Sequence, residues 1–546
     1  MIRKQGTVAE YVTALRESDR FGPQVVAYRR FARQKGHGRP IEQHILPELI
    51  DLLAGLGITK LYSHQNQAIK LIQQKRDVLV ATPTASGKSL IYNLPVFQEL
   101  LQNSQARALY LFPLKALARN QLKTVRQWGA LLPTHFADIN MSPAAVYDGD
   151  TTGYQRKKIR DNLPAILITN PDMLHLSLLP YHHLWGPFFA NLTHIVLDEV
   201  HTYRGIFGSH MAWVVRRLKR ICSLYGSEPV FILSSATIGN PEELGKNLLS
   251  GPVKVITASG APQPPRNILL LNPLESAPAA ATLLLEAAIY RKLRTIVYTQ
   301  SRKLTELITL WCETRLKENK DRIASYRAGF LPEDRRRIEQ QLVNGELLGV
   351  ISTSALELGI DIGGLDICLL VGYPGSMMAT WQRAGRVGRN GRECLIVLIG
   401  QEDALDQNFM RHPEDFFNRS IEPVVLDPEN ENIAGAHLLC ASAEIPLTRD
   451  EDLLRDNSCM SFLARMTQRG KILQSADGNT WFSARKYPQR TVNLRGTGNI
   501  FLIYDTKNHS LLGEIDGYRA CRECHEGAVY LHMAKSWGCS CKYFKY

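Results

Sequence analysis

Residues 77–89 read D-V-L-V-A-T-P-T-A-S-G-K-S. The first five predict a short buried strand, 82–86 a loop, and Gly87-Lys88-Ser89 the opening of an apolar helix over 90–101. Backbone N–H groups of such a loop, and of the helix N-terminus behind it, suit phosphate oxygens. Lys88 adds a point charge for β- and γ-phosphates, and Ser89 offers a hydroxyl ligand for magnesium. Thr84 and Gly87 complete the candidate phosphate cradle. The usual first glycine of such a loop is missing.

Outward from this stretch, short apolar runs follow one another at 108–112, 165–169, 194–197 and 230–234, separated by helical or loop segments. Strands that alternate with helices mean a parallel sheet covered on both faces. Residues 258–273 are Pro-rich and read as a linker. A second series of runs follows at 295–298, 349–352, 367–371 and 394–399. Two tandem α/β domains are expected, over 51–258 and 270–410. Beyond 401 the pattern changes: 437–443 and 450–465 read as helical, and 487–516 as short strands with turns.

Two further strings carry chemistry. Residues 195–201, I-V-L-D-E-V-H, deliver adjacent carboxylates at the C-terminal end of a strand, where open α/β sheets bind ligands. Asp198 is suited to hold magnesium, and Glu199 to orient and deprotonate an attacking water. Residues 382–389, Q-R-A-G-R-V-G-R, space Arg383, Arg386 and Arg389 by three, which puts them on one face of a turn-helix. Such guanidinium forks neutralise charge developing on a transferred phosphoryl group.

The chain has 546 residues, enough for three or four domains, and carries 65 Lys+Arg against 52 Asp+Glu, a net +13. A basic excess suits a polyanionic partner. Hydrophobic residues make up 45%, which excludes wholesale disorder, and no run approaches the length of a membrane span. Residues 1–40 hold nine Lys/Arg against three Asp/Glu, and 28–39 interleave cations with aromatics. This N-terminal extension (1–50) reads either as an arm gripping a phosphate backbone or as a solvated, poorly ordered tail. No apolar leader opens the chain, and six of the ten cysteines are scattered singly, as in a reducing compartment, so the cytoplasm is the expected location.

Taken together, the strings resemble the ordered motifs of a superfamily 2 helicase of the DEAD/DEAH-box type. Y-S-H-Q-N-Q-A (62–68) resembles the Q motif, which implies Gln65 at the adenine. P-L-K-A-L-A (113–118), T-N-P-D-M (169–173) and Y-D-G-D-T (147–151) resemble strand-holding motifs, implying Lys115, Thr169 and Asn170 as nucleic-acid contacts. S-A-T (235–237) resembles the motif that couples hydrolysis to domain movement. S-T-S-A-L-E-L-G-I-D-I (352–362) resembles motif V, implying Thr353 toward the strand and Gly359 and Asp361 toward the nucleotide. Gln382, Arg386 and Arg389 then join Glu199 as catalytic residues. The longer string D-E-V-H-T-Y-R-G-I-F-G-S-H (198–210) and the stretch 485–532 are similar to the Lhr-like and MrfA-like bacterial DNA helicases.

The resemblance implies two RecA-like domains with one ATP between them. A smaller α+β, winged-helix-like accessory region is expected over 425–532, its winged helix at 432–453. It also implies magnesium, movement on single-stranded or tailed duplex DNA in the 3′-to-5′ direction, a DNA-repair setting and no membrane partner. An RNA remodeller, or an ATP-gated clamp that does not unwind, is the alternative, and a nuclease is a further candidate partner. The family normally continues into a C-terminal four-cysteine metal domain, so the end of this chain reads as truncated or atypical, with 533–546 a frayed basic tail. Cys521, Cys524, Cys539 and Cys541 could be arranged as C-x₂-C with C-x-C for zinc. The tight second spacing, and a strand expected through Cys521 and Cys524, argue against it.

Overall fold

A computed structural model describes residues 6–41, 44–132, 143–327, 329–357, 363–454, 457–496, 500–507, 509–532 and 535–540. The chain divides into two compact units, one of 36–261 with 422–496, the other of 1–35, 262–421 and 497–546.

The first unit is built on a seven-stranded sheet in the order Lys254–Ile256, Val78–Ala81, Val230–Ser235, Leu192–Leu197, Arg107–Leu111, Ile166–Thr169 and Ala144–Tyr147. Every neighbouring pair is parallel. The apolar runs become these central strands because both faces are covered: Val78, Leu79, Val80 and Ala81 have no solvent exposure. Each such Val or Leu contributes about 1.5–3 kcal/mol by leaving water. The sheet is an RecA-like parallel α/β layer.

A winged helix is mounted on this unit. The helices Glu431–Glu444 and Asn457–Gln468 pack on a three-stranded antiparallel sheet, Leu447–Thr448, Thr480–Ser483 and Ile472–Gln474. Its seat is the long helix Gly205–Leu224, which begins four residues after the Asp-Glu-Val-His string. Arg217 on that helix is fully buried and pairs through both Nε (3.1 Å) and Nη2 with the carboxylate of Glu444. Arg217 Nη1 also donates to His175 Nδ1 (2.8 Å) and His437 Nδ1 (3.0 Å). Because a guanidinium only donates, both Nδ1 atoms are acceptors and both rings carry their proton on Nε2. His437 Nε2 therefore donates to His210 Nδ1 (2.9 Å), and His175 Nε2 to the carbonyl of Gln489 (3.1 Å). Burial and the adjacent Arg217 charge hold His437 well below its usual pKa and His175 down at about 3, so both are neutral. Arg220 adds a bidentate pair with Glu451 (2.6 and 2.9 Å).

The second unit carries a sheet in the order Val25–Phe31, Arg266–Leu271, Cys394–Ile399, Ile367–Val371, Thr295–Tyr298, Gly349–Ser352 and Ile323–Tyr326. All pairs are parallel except the first, which is antiparallel.

Five expectations are corrected here. Residues 258–273 are not all linker: Arg266–Leu271 is an inner strand of this sheet, its Ile268 to Leu271 buried behind a Pro-rich approach that hides a six-residue run. The N-terminal extension is not a free arm. Helix Val8–Arg16 opens with a Thr7/Glu10 capping box and buries Val8, Tyr11, Val12 and Leu15 against Leu269, Leu284 and Leu285. Strand Val25–Phe31 then edges the sheet. Its cations are engaged within the unit: Arg30 with Glu393 (3.2 Å), Arg29 with Glu414 and over the Phe417 ring, and Arg16 over the Tyr28 ring. Residues 36–50 belong to the first unit, where helix Pro47–Gly55 buries Leu49, Leu52 and Leu53.

Nor is 425–532 one accessory body. The winged helix stays with the first unit, whereas the hairpin Ile500–Tyr504/Leu511–Asp516, helix Gly517–Glu523 and hairpin Val529–His532/Lys535–Gly538 fall in the second. Cys521 therefore lies on a helix and Cys524 just past its end, not on a strand, and Lys535–Gly538 is a paired strand rather than frayed tail. No helix among the described residues is long and apolar enough to cross a membrane.

Candidate nucleotide site and strand-holding loops

The phosphate loop lies between strand Val78–Ala81 and helix Ser89–Gln102. Gly87 has φ +76, and a Cβ there would come within 2.6 Å of Gln65 Nε2. The backbone therefore requires glycine, and a Cβ would also push the Gln65 amide off its bond to the loop. Lys88 Nζ donates to the carbonyls of Thr82 and Pro83 (both 2.9 Å), folded back over its own loop. Thr82 and Ser86 hydroxyls bond each other at 2.8 Å. Thr84 is half-buried and Ser89 exposed at the helix start. Gln65 is nearly buried with both ends of its amide engaged: Nε2 donates to the Gly87 carbonyl (2.9 Å) and Oε1 accepts from Tyr62 N–H (2.8 Å). His64 Nε2 contacts the Ser86 carbonyl at 3.0 Å. One helix start therefore braces the loop from behind.

Across the sheet, strand Leu192–Leu197 delivers Asp198 and Glu199. Asp198 Oδ1 accepts from the Ser234 hydroxyl and from Glu199 N–H (3.0 Å). Glu199 has φ 52 and ψ 45, left-handed for a residue with a Cβ. That conformation costs about 1–3 kcal/mol and persists only where neighbours enforce it. Here the Glu199 carbonyl accepts from Thr202 N–H (2.9 Å) and Oγ1 (2.8 Å). Burial and the Glu199 charge push the Asp198 carboxyl well above the usual carboxylate range. Burial lowers the Lys88 ammonium, while Glu199 and Asp198 pull it back up, so the three groups share one electrostatic site. Two crowded carboxylates, a hydroxyl at the helix start and a loop whose carbonyls are braced by Lys88, His64 and Gln65 fit a magnesium–nucleoside triphosphate. Lys88, Ser89 and the loop N–H groups would hold its phosphates, and Asp198 and Ser89 its metal.

His201 contributes a link that sequence reasoning passed over. Its Nδ1 accepts from Ala236 N–H (3.2 Å), inside S-A-T, and lies 3.4 Å from Glu199 Oε2. Burial, with Lys88 and Arg204 nearby, lowers its pKa to about 3. A neutral ring whose Nδ1 already accepts a hydrogen bond from Ala236 N–H makes no ion pair with Glu199, so His201 acts as a spacer between the two strings. Ser234 was missed as well; its only signal is its place one residue before S-A-T.

Three of the four strand-contact candidates, Lys115, Thr169 and Asn170, lie in the same unit. Lys115 begins helix Lys115–Leu131 and pairs with Asp150 (2.5 Å), as does Arg119 (2.7 Å). Thr169 is buried, with Oγ1 donating to the Tyr147 carbonyl (2.5 Å). Asn170 caps helix Pro171–Met173, Oδ1 accepting from Met173 N–H (2.8 Å). These two side chains build the loop from within. Arg495, at the end of the winged helix, bonds Asp172 (3.1 Å) and the Pro113 carbonyl (3.4 Å), joining the first two strand-holding strings.

In the second unit, Thr353 follows strand Gly349–Ser352 and is half-buried. Gly359 and Asp361 lie outside the described residues. Helix Met377–Ala384 carries Gln382, buried, and Arg383, whose Nε donates to Glu357 Oε2 (3.0 Å) and whose guanidinium lies over the Tyr298 ring. The helix ends there. Arg386 sits beyond it, donating through Nη2 to the Glu357 carbonyl, and Arg389 starts a separate short turn after Gly388 at φ +73. The three arginines therefore do not share one helical face, because glycines 385 and 388 break the helix. Glu357, absent from the sequence reading, is the residue that both Arg383 and Arg386 engage.

Of the four terminal cysteines, Cys521 is exposed, Cys524 and Cys539 half-buried, and Cys541 lies outside the described residues. Among the described residues no three His, Cys, Asp or Glu side chains gather as a metal cage.

Residues 62–244 match the DEAD/DEAH box helicase family, 279–391 the helicase conserved C-terminal domain, and 426–497 the winged helix domain of ATP-dependent helicase HRQ1. The chain belongs to the DEAD/DEAH-box helicases of superfamily 2, a class of ATP-hydrolysing enzymes. It is 39% identical to the ATP-dependent helicase YprA of Bacillus subtilis over 97% of this chain and 71% of that one. Identity to HRQ1 of Saccharomyces cerevisiae is 32%, over 88% of this chain but only 46% of the yeast protein. The solved structure of the DUF1998 helicase MrfA bound to DNA and AMPPNP superposes with a TM-score of 0.89 at 38% identity, covering 98% of this chain and 75% of that one.

Proposed function

We propose that this chain is an ATP-dependent DNA translocase that moves 3′ to 5′ on a single strand, unwinds tailed duplexes, and serves DNA repair in the cytoplasm. The observation that carries the proposal is one sheet that sets the phosphate loop after strand Val78–Ala81 and Asp198 and Glu199 after strand Leu192–Leu197, with His201 bonded to Ala236 of S-A-T. MrfA has been solved bound to DNA, and that likeness supports DNA as the strand.

ATP and magnesium supply the scissile phosphoanhydride and its charge neutralisation. Lys88 leaves the Thr82 and Pro83 carbonyls to reach the β- and γ-phosphates. Glu199 orients a water in line with the γ-phosphorus and takes its proton. Asp198 keeps its carboxylate beside the metal position through Ser234 and Glu199 N–H. Arg386 and Arg389 neutralise charge on the equatorial oxygens. Lys115 and the backbone of 169–173 hold the strand.

The test is ATPase activity with and without single-stranded DNA or RNA, followed by displacement on 3′-tailed and 5′-tailed duplexes. Stimulation by DNA and displacement of the 3′-tailed duplex are expected. Stimulation by RNA alone, or displacement only from a 5′ tail, overturns the proposal.

A further inference from the structure

Two helices frame the loop 147–151. Lys115–Leu131 carries Lys115, Arg119, Lys123 and Arg126 at i, i+4, i+8 and i+11, which is one helical face. All four are exposed, and the opposite face, with Ala118, Val125 and Trp128, is buried. The second helix, Gly153–Asp161, places Tyr154, Lys157 and Lys158 at i, i+3 and i+4, again one face and again exposed; Tyr154 is 78% accessible. Asp150, in the loop that leads into the second helix, accepts from Lys115 and Arg119 of the first.

An ordinary solvated helix mixes charge signs and forms i, i+4 pairs. Helix Lys115–Leu131 contains no acid, and Asp161 is the single acid of Gly153–Asp161. Among the described residues Lys123, Arg126, Lys157 and Lys158 make no ion pair. A run of unpaired cations is retained against self-repulsion, and a 78% exposed tyrosine among them has nothing to pack on. Cations that follow a backbone, with an aromatic face beside them, are the chemistry of single-stranded nucleic-acid binding. From Lys115 to Arg126 the row spans about 16 Å at the helical rise, more than one internucleotide step.

Resting on the reading of this chain as a strand-tracking motor, we infer that these two faces form an extended binding surface for single-stranded nucleic acid. It continues the strand from the Lys115 site, with Lys123, Arg126, Lys157 and Lys158 on phosphates and Tyr154 stacking a base. A single strand is favoured over a duplex because only an unpaired base offers its face to Tyr154.

Equilibrium binding of the full chain is compared on a short dT oligonucleotide that spans the motif loops alone, a longer one that reaches the surface, and a blunt duplex. The variants are Tyr154→Ala, Lys123→Glu/Arg126→Glu and Lys157→Glu/Lys158→Glu, all at exposed positions, with melting temperature as the folding check. The wild type is expected to bind the longer strand more tightly than the short one. Tyr154→Ala should lower that affinity about 5-fold or more. Each double variant should reduce the log–log salt slope on the long strand by about 1.4, two phosphates' worth. The short strand should bind with little change. An undiminished long-strand advantage in all three variants overturns the inference, as does an equal loss on the blunt duplex, which would make the surface a generic cation patch. If the wild type binds no strand at all, the proposed function falls first, and the two failures are told apart.

Discussion

At the residue scale, Glu199, proposed as the base, sits in a strained left-handed backbone. Its left-handed backbone is held by bonds from Thr202, and its N–H by Asp198. Glu199→Gln keeps the side-chain shape and the N–H while removing the proposed base. Hydrolysis should fall about 10²-fold or more, with nucleotide affinity kept. Single-turnover hydrolysis beside nucleotide binding checks this, and near-normal turnover removes Glu199 from the role. Residues of this kind were legible because chemistry and spacing lie together along the chain: Lys88 next to Ser89, Asp198 next to Glu199. Ser234, His201 and Glu357 were not, since each acts through a partner set by sheet order or loop packing rather than by sequence distance. Ser234 reaches Asp198 across 36 residues and Glu357 reaches Arg383 across 26.

At the element scale, all nine apolar runs read from the sequence are strands of the two sheets. A continuous apolar run between turn residues has one stable home, a strand buried on both faces. What stayed hidden had its signal masked. Arg266–Leu271 followed prolines, and Val25–Phe31 is an edge strand whose outward cations look like a solvated tail. Deleting residues 1–35 should therefore destabilise the second unit, not merely shallow a salt slope. It strips Val8, Tyr11, Val12 and Leu15 from the core and exposes the edge of Arg266–Leu271. A lower thermal midpoint is expected, and an unchanged one would restore the free-arm reading. The winged helix makes the opposite point. Removing one partner of its buried Arg217–Glu444 pair leaves an uncompensated charge, so Glu444→Ala should cost about 3–5 kcal/mol. Denaturant titration measures it, and a loss under about 1 kcal/mol would make the pair ornamental. The same network sets a pH dependence. His175 is held at about 3 when folded and regains its ordinary value near 6.5 when unfolded. Below that ordinary value the unfolded chain binds a proton the folded chain refuses. Stability then falls with pH between about 6 and 4, by about 1.4 kcal/mol per unit for each such histidine. His194, buried and likewise lowered to about 3, adds to the same window.

At the scale of the whole molecule, the candidate catalytic groups are divided between the units. Lys88, Asp198 and Glu199 lie in one, Arg386 and Arg389 in the other. Within its own unit Arg386 is tethered to the Glu357 carbonyl just past the end of helix Met377–Ala384, so its fork is aimed by backbone rather than by a helical stripe. If these arginines neutralise charge that develops on the transferred phosphoryl group, they act on the transition state and not on initial capture by the phosphate loop. Arg386→Ala and Arg389→Ala should then lower kcat far more than they raise the nucleotide Kd, whereas Lys88→Ala should weaken binding itself. Lys at 386 restores the charge without the planar fork, and should recover little of the rate. DNA-stimulated kcat and nucleotide Kd, measured side by side for the three variants and for Arg386→Lys, separate the possibilities. Normal DNA-stimulated hydrolysis in the double arginine variant would remove both arginines from the reaction.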